Sequence, residues 1–212
     1  MRTKALLCAA AIAAGAVTAM AQSNVYSLNV VGYVNTSVVG SGAGTFQMIA
    51  NPLNTTNNTL GGLISGAPDF TTLFKFNGTG FDIATYAFGN WDHPEFSLKP
   101  GEGAIVQSTT PSTNKFVGEV MQGSLVNPYP AGFSIRASQV PQAGTLTALG
   151  LAPSQFSDFD TVYKFNTASQ QYDIYTIAFG TWQPSEPALA VGESMWLQPA
   201  QAGSWNRTFT VQ

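Results

Sequence analysis

TLFKFN, residues 72–77, returns with two changes as TVYKFN at Thr161–Asn166, and both copies run on to an Ala-Phe-Gly-X-Trp ending at Trp91 and Trp182. Aligning the two phrases sets a register that holds over most of the chain. Asp69-Phe70 matches Asp158-Phe159, Asp82-Ile83 matches Asp173-Ile174, and Gly101-Glu102 matches Gly192-Glu193. Further upstream, Thr59-Leu60 with Leu63 matches Thr145-Leu146 with Leu149, and Gly44-Thr45-Phe46 falls on Ala131-Gly132-Phe133. The same register lays Val31-Gly32-X-Val34 on Val117-Gly118-X-Val120. The pattern reads as an internal duplication with two copies, hence a pseudo-twofold pair and not a solenoid, which needs at least about three repeats.

Within a copy the signals are β. Phe74 and Phe76 alternate with Leu73 and Lys75, as Tyr163 and Phe165 alternate with Val162 and Lys164, a period of two with aromatics on one face. Asn77-Gly78-Thr79-Gly80 supplies a turn that tolerates positive φ, with residues 81–83 returning as the partner strand. The corresponding loop at 166–171 is two residues longer. Leu60, Leu63 and Ile64 have helical spacing, with Asn58 or Thr59 placed to cap a turn. Twelve prolines and 21 glycines among short apolar runs favour an all-β sandwich or barrel-like fold with one short helical turn per unit.

The N-terminus carries Arg2 and Lys4 ahead of an apolar run and Ala19-Met20-Ala21, the pattern of a secretory signal peptide over residues 1–21. Residues 22–30 then form an N-terminal strand segment, 31–116 the first β unit and 117–212 the second. The second unit lacks the continuation that follows Phe116, so residues 25–34 are expected to fill that slot beside the C-terminal strand, within one molecule or between molecules by strand addition. No run is long and apolar enough to span a membrane as a helix.

Cys8 lies inside the leader, so the mature chain forms no disulfide and no Cys-ligated metal site. Removing Arg2 and Lys4 from 8 basic residues leaves six against 11 acidic, a net charge of −5. The six are scattered, so no basic face is offered to nucleic acid. Charged residues are only 9% of the chain, against about 25% in ordinary globular proteins, and uncharged polar side chains must supply most of the wet surface.

The catalytic inventory is thin. His93 stands between Asp92 and Glu95, but the second copy has no histidine there. Glu102 and Glu193 recur in equivalent turns; they read as carboxylates accepting turn N–H groups, with a paired-carboxylate hydrolase as the sharper alternative. Asp158-X-Asp160 lacks the spaced series of oxygens calcium needs. No cofactor or metal is called for. Trp91 and Trp182 are duplicated and read as core, whereas Trp196, Trp205 and Tyr129 have no aromatic counterpart and are the candidate ligand-binding residues.

NVVGYVN (29–35), IANPL (49–53), LFKFNGTGFD (73–82) and LKPGEGAIV (98–106) resemble a group of uncharacterised exported β-repeat proteins of environmental Gram-negative bacteria. The second unit departs from that pattern at Ser138-Gln139-Val140 and at Val191-Gly192-Glu193-Ser194. The resemblance implies export and a β-repeat fold and transfers no site. The expectation is a periplasmic, outer-surface or extracellular protein without enzymatic activity, structural or interacting, assembling with itself by strand addition. Carbohydrate binding through exposed aromatics, with cell-surface polysaccharide as partner, is the alternative; a glycoside-type hydrolase ranks third.

Overall fold

The computed structural model describes residues 30–211. The expected signal peptide and all of the expected strand segment except Val30 lie outside the described residues. The chain runs β1 (Val31–Val38), β2 (Thr45–Ala50), the single-turn helix α1 (Leu60–Leu63), β3 (Thr72–Phe76), β4 (Phe81–Ala87), β5 (Asn90–Trp91), β6 (Gly103–Ser108) and β7 (Ser112–Glu119). It continues with β8 (Gly123–Tyr129), β9 (Ser134–Ala137), β10 (Gly144–Thr145), β11 (Thr161–Asn166), β12 (Gln171–Ala178), β13 (Thr181–Gln183), β14 (Ala188–Leu189), β15 (Ser194–Gln198) and β16 (Gly203–Phe209). A 3₁₀ turn occupies Pro153–Gln155.

All pairings between these strands are antiparallel. Two five-stranded sheets, β2-β6-β3-β4-β5 and β9-β15-β11-β12-β13, share one strand order, and each is accompanied by a two-stranded ribbon, β1-β7 and β8-β16. The fold is all-β and its sheets stay open, so the barrel alternative is not realised.

Alternation builds two cores. Leu73, Ala84 and Val106 face inward with Leu60, Leu63, Leu98, Trp91 and Phe116; Val162, Ile177 and Leu197 do the same with Leu146, Leu149, Leu189, Trp182 and Trp205. Burying each large side chain is worth about 1.5–3 kcal/mol, and with no disulfide among the described residues this packing carries the fold. The helical turn forms where its spacing predicts, at Leu60–Leu63, but Thr59 makes no capping bond through its side chain. At the equivalent stretch of the second half, Leu149 N–H donates to Thr145 O (2.9 Å) in a turn that goes no further.

Two expectations need correction. Residues 31–34 and 117–120 are not equivalent positions: Val31 pairs with Glu119, Gly32 with Gly118, Tyr33 with Val117 and Val34 with Phe116. The like sequences are facing partners, and both glycines leave room for the loop that packs on the ribbon: a Cβ on Gly32 would stand 2.6 Å from a Leu53 methyl and one on Gly118 2.5 Å from Asn54 O. The slot beside the C-terminal strand is filled by β8, which pairs with β16 from Gly123↔Phe209 to Tyr129↔Gly203. The unit boundary expected at 116/117 therefore falls inside β7, and the halves divide between Glu119 and Gly123.

The halves meet along a seam whose contacts come in matching pairs. Ala50 N–H donates to Gly192 O (2.8 Å) and Ala137 N–H to Gly101 O (3.0 Å); isolated bridges join Ile49 to Glu193 and Arg136 to Glu102. At its centre a Cβ on Gly103 would lie 2.4 Å from Ser194 Cβ. The departure from Pro-Gly-Glu-Gly to Val-Gly-Glu-Ser thus has a steric reason: the two positions meet, and only one can carry a side chain. Ser194 Oγ donates to Ile49 O at 2.9 Å. The longer hairpin loop also reaches across, with Gln170 Oε1 accepting from Phe46 N–H (2.8 Å) and Gln170 Nε2 donating to Phe46 O (3.1 Å).

Candidate functional site

Of the three sequence-predicted binding residues, two are core. Trp205 is buried and its indole N–H donates to Leu149 O at 2.7 Å. Tyr129 is buried, stacks on Phe156 with centroids 6.1 Å apart, and burial pushes its phenol above the ordinary value. Strand parity decides both. Tyr129 shares its face with Leu125 and Asn127, the other buried residues of β8, and the indole of Trp205 is the buried ring of β16. Trp91 and Trp182 are buried as expected, and Trp91 Nε1 donates to Ile64 O (2.7 Å).

Trp196 alone points away from a core, between inward-facing Met195 and Leu197, and stays half-buried. It contacts Phe76 (4.9 Å), Phe133 (5.9 Å) and Phe81 (6.1 Å), and its N–H donates to the Tyr172 hydroxyl (3.1 Å). These contacts extend into a tract across the outer faces of both sheets, from Phe46 and Phe74 in one to Tyr163, Tyr172 and Phe165 in the other. Most rings meet edge to face, at 63–87° around Trp196, Phe81 and Tyr172. Such tilting favours the pairs themselves and leaves no flat platform.

The candidate carboxylates are tied into turns. Glu102 accepts from Lys99 N–H (2.9 Å) and pairs with Lys75 (3.1 Å); Glu193 accepts from Ala190 N–H (2.8 Å) and pairs with Lys164 (3.4 Å). Asp160 is buried, accepting from Ser157 and Ala200 N–H (2.8 and 2.7 Å), while Asp158 accepts from Gly180 N–H (3.2 Å). His93 is exposed, hydrogen-bonded to Glu95 (3.1 Å) and stacked on Phe96. Among the described residues no group of three or more His, Cys, Asp or Glu side chains could hold a metal ion.

Sequence reasoning missed the most exposed aromatics. Phe88-Gly89 and Phe179-Gly180 are the two central residues of the β4–β5 and β12–β13 hairpins, with φ of 53° and 85°, 53° and 72°. Two-residue turns with both φ positive are the ground of Asn-Gly. Phe70 (φ 66°) and Phe159 (φ 77°) occupy the left-handed position of β-bulges. Phe70 N–H donates to Tyr86 O while Tyr86 N–H donates to Thr71 O (2.7 and 2.8 Å), and Phe159, Ile177 and Asp160 repeat the pattern (2.8 and 2.9 Å). That position ordinarily takes glycine. These four rings are 68% (Phe70), 88% (Phe88), 83% (Phe159) and 96% (Phe179) exposed. Asp69 Oδ1 accepts from Phe88 N–H (2.9 Å), holding the two turns of the first half together. Each pair sits at the far side of its sheet from β2 and β9, the strands at the seam. The signal was present in the repeated Asp-Phe and Phe-Gly dipeptides, where an apolar ring stands at a turn. Comparison with family models, curated proteins and solved structures finds no match to this chain.

Proposed function

We propose that this chain is an exported, non-enzymatic structural or interaction protein, built by copying one β unit, that associates with further copies of itself through its phenylalanine turns. The observation that carries the reading is the four exposed rings on left-handed backbone. A bulky L-residue there is strained by about 1–2 kcal/mol, and rings this exposed return little burial to the monomer, least of all at Phe179 and Phe88. A residue that strains the backbone and adds little to the core of the monomer is explained by what it touches outside the monomer. The pairs occur once per half, away from the seam, which gives the molecule two similar sticky ends and a means of propagating an assembly.

Strand addition by residues 25–34 at the C-terminal strand is replaced in this reading by contact between turns, since β8 already occupies that place. Export rests on the N-terminal sequence pattern, and no described helix is long and apolar enough to cross a membrane. A second reading, polysaccharide binding, is favoured by half-buried Trp196 in the aromatic tract; the tilted rings support it less than a coplanar row would. Sedimentation of the mature chain over a range of concentrations tests the self-association. Reversible association is expected, with loss in a variant carrying Asn at 70, 88, 159 and 179; a wild-type monomer throughout refutes the proposal.

A further inference from the structure

Beside the seam, a cleft of about 230 Å³ opens between the tip of the β3–β4 hairpin and β9, walled by Phe76 and Phe133 and floored by Ser134 and Arg136. Its polar groups divide into two classes. Those from the first half are satisfied: Lys75 Nζ donates to Ser97 O, Ser97 Oγ and Glu102 (2.6, 2.9 and 3.1 Å), and the Asn77 side chain bonds Asp82, Thr79 and Gly80. Those from β9 are not. Arg136 Nε and Ser134 Oγ are buried without a partner, and the Arg136 guanidinium donates only to the carbonyl of Ile135, at 3.3 Å. Arg136 makes no ion pair with a described carboxylate; the Glu102 carboxylate, itself held by Lys75, attracts it only from beyond ion-pair distance.

The matching cleft of the other half, about 280 Å³ between Phe165, Met48 and Gln47, shows what the scaffold alone requires. There the place of Arg136 is taken by buried Ile49, and the place of Ser134 by Gln47, whose amide accepts from Val39 N–H and donates to Ser37 O (3.0 Å each). One unpartnered hydroxyl, Thr36 Oγ1, remains. The seam therefore closes with an isoleucine at this position. A desolvated guanidinium with no carboxylate in hydrogen-bond contact is unfavourable, and a planar fork of donors matches a carboxylate.

We infer that the cleft binds a small carboxylate whose single ring lies between Phe76 and Phe133, with Arg136 holding the carboxylate and Ser134 a second oxygen. The volume is below the roughly 300–1,000 Å³ of drug-sized sites, so one ring enters and a polymer reaches it only by its end. Neither the phenylalanine turns nor self-association is involved. Titration calorimetry on the mature chain with glucuronate, cyclohexanecarboxylate and glucose tests the assignment and separates a sugar acid from an apolar acid. At least one of the acids is expected to bind and glucose to bind at least tenfold more weakly. Arg136→Met, checked for folding by its thermal transition, is expected to lose about tenfold or more of the acid's affinity. Ser134→Ala, the milder substitution, is expected to weaken binding in the same direction. Binding of neither acid, equal binding of glucose, or unchanged affinity in both folded variants overturns it.

Discussion

Replacing Phe179 by Asn isolates the backbone argument at the site where side-chain packing matters least. The ring is 96% exposed, so of about 200 Å² of aromatic surface only about 8 Å² is covered, worth about 0.2 kcal/mol at 25 cal/mol per Å². Against that stands φ of 53°, unfavourable for a bulky residue by about 1–2 kcal/mol and tolerated by Asn. The balance is a stabilisation of about 1 kcal/mol, which for a chain of this size raises Tm by about 2–4 °C. At Phe88, 88% exposed, about 24 Å² is covered and the offset rises to about 0.6 kcal/mol, so Phe88→Asn should gain less. Urea unfolding at protein concentrations too low for association measures both, because association would otherwise add to apparent stability. A Phe179→Asn variant less stable than wild type would refute the view that the ring is retained against the preference of its turn.

Gly103→Ala places a methyl group against Ser194 and Ile135 at the seam and should destabilise by about 1–3 kcal/mol, read in the same unfolding assay. Ser194→Ala removes the bond to Ile49 O and should lower stability by about 1 kcal/mol. Burial raises the Tyr129 phenol above 10.0. The folded state thus holds that proton more tightly than the unfolded chain, and its contribution is present below the unfolded value and declines as pH rises through it. Tyr129→Phe should flatten the alkaline end of the stability profile. Acrylamide should quench Trp196 fluorescence while Trp91, Trp182 and Trp205 stay protected, so Trp196→Phe should abolish most of the quenchable signal.

The strand order was legible because the repeated phrases are strands and turns whose chemistry is local: alternating apolar residues, Asn-Gly at a hairpin tip, Pro-Gly-Glu-Gly before an apolar run. The match of Val31-Gly32-X-Val34 to Val117-Gly118-X-Val120 misled for a physical reason. The paired glycines Gly32 and Gly118 both make room for residues 53–55 packed on the ribbon, and identity of need looks like identity of position. Tyr129 and Trp205 stand out as ligand-binding candidates through their uniqueness between copies, but strand parity outweighs that signal. The cores fill equivalent space with different residues, so a missing counterpart does not imply exposure. The phenylalanine turns escaped notice because Ala-Phe-Gly-X-Trp reads as an apolar motif, and only the backbone angles reveal that its phenylalanine stands in a glycine's place. Arg136 was counted as one scattered cation; its meaning appears only beside the isoleucine that replaces it in the other half.

The central claim is that the phenylalanine turns are surfaces of contact between copies. A photo-reactive benzoylphenylalanine at position 88, irradiated in the assembled protein, reads that contact directly. The account predicts a cross-linked dimer whose second attachment maps to the turns around Phe70 and Phe88 or around Phe159 and Phe179. Cross-links confined to one molecule, or mapping to the β1-β7 ribbon of a second copy, would contradict it.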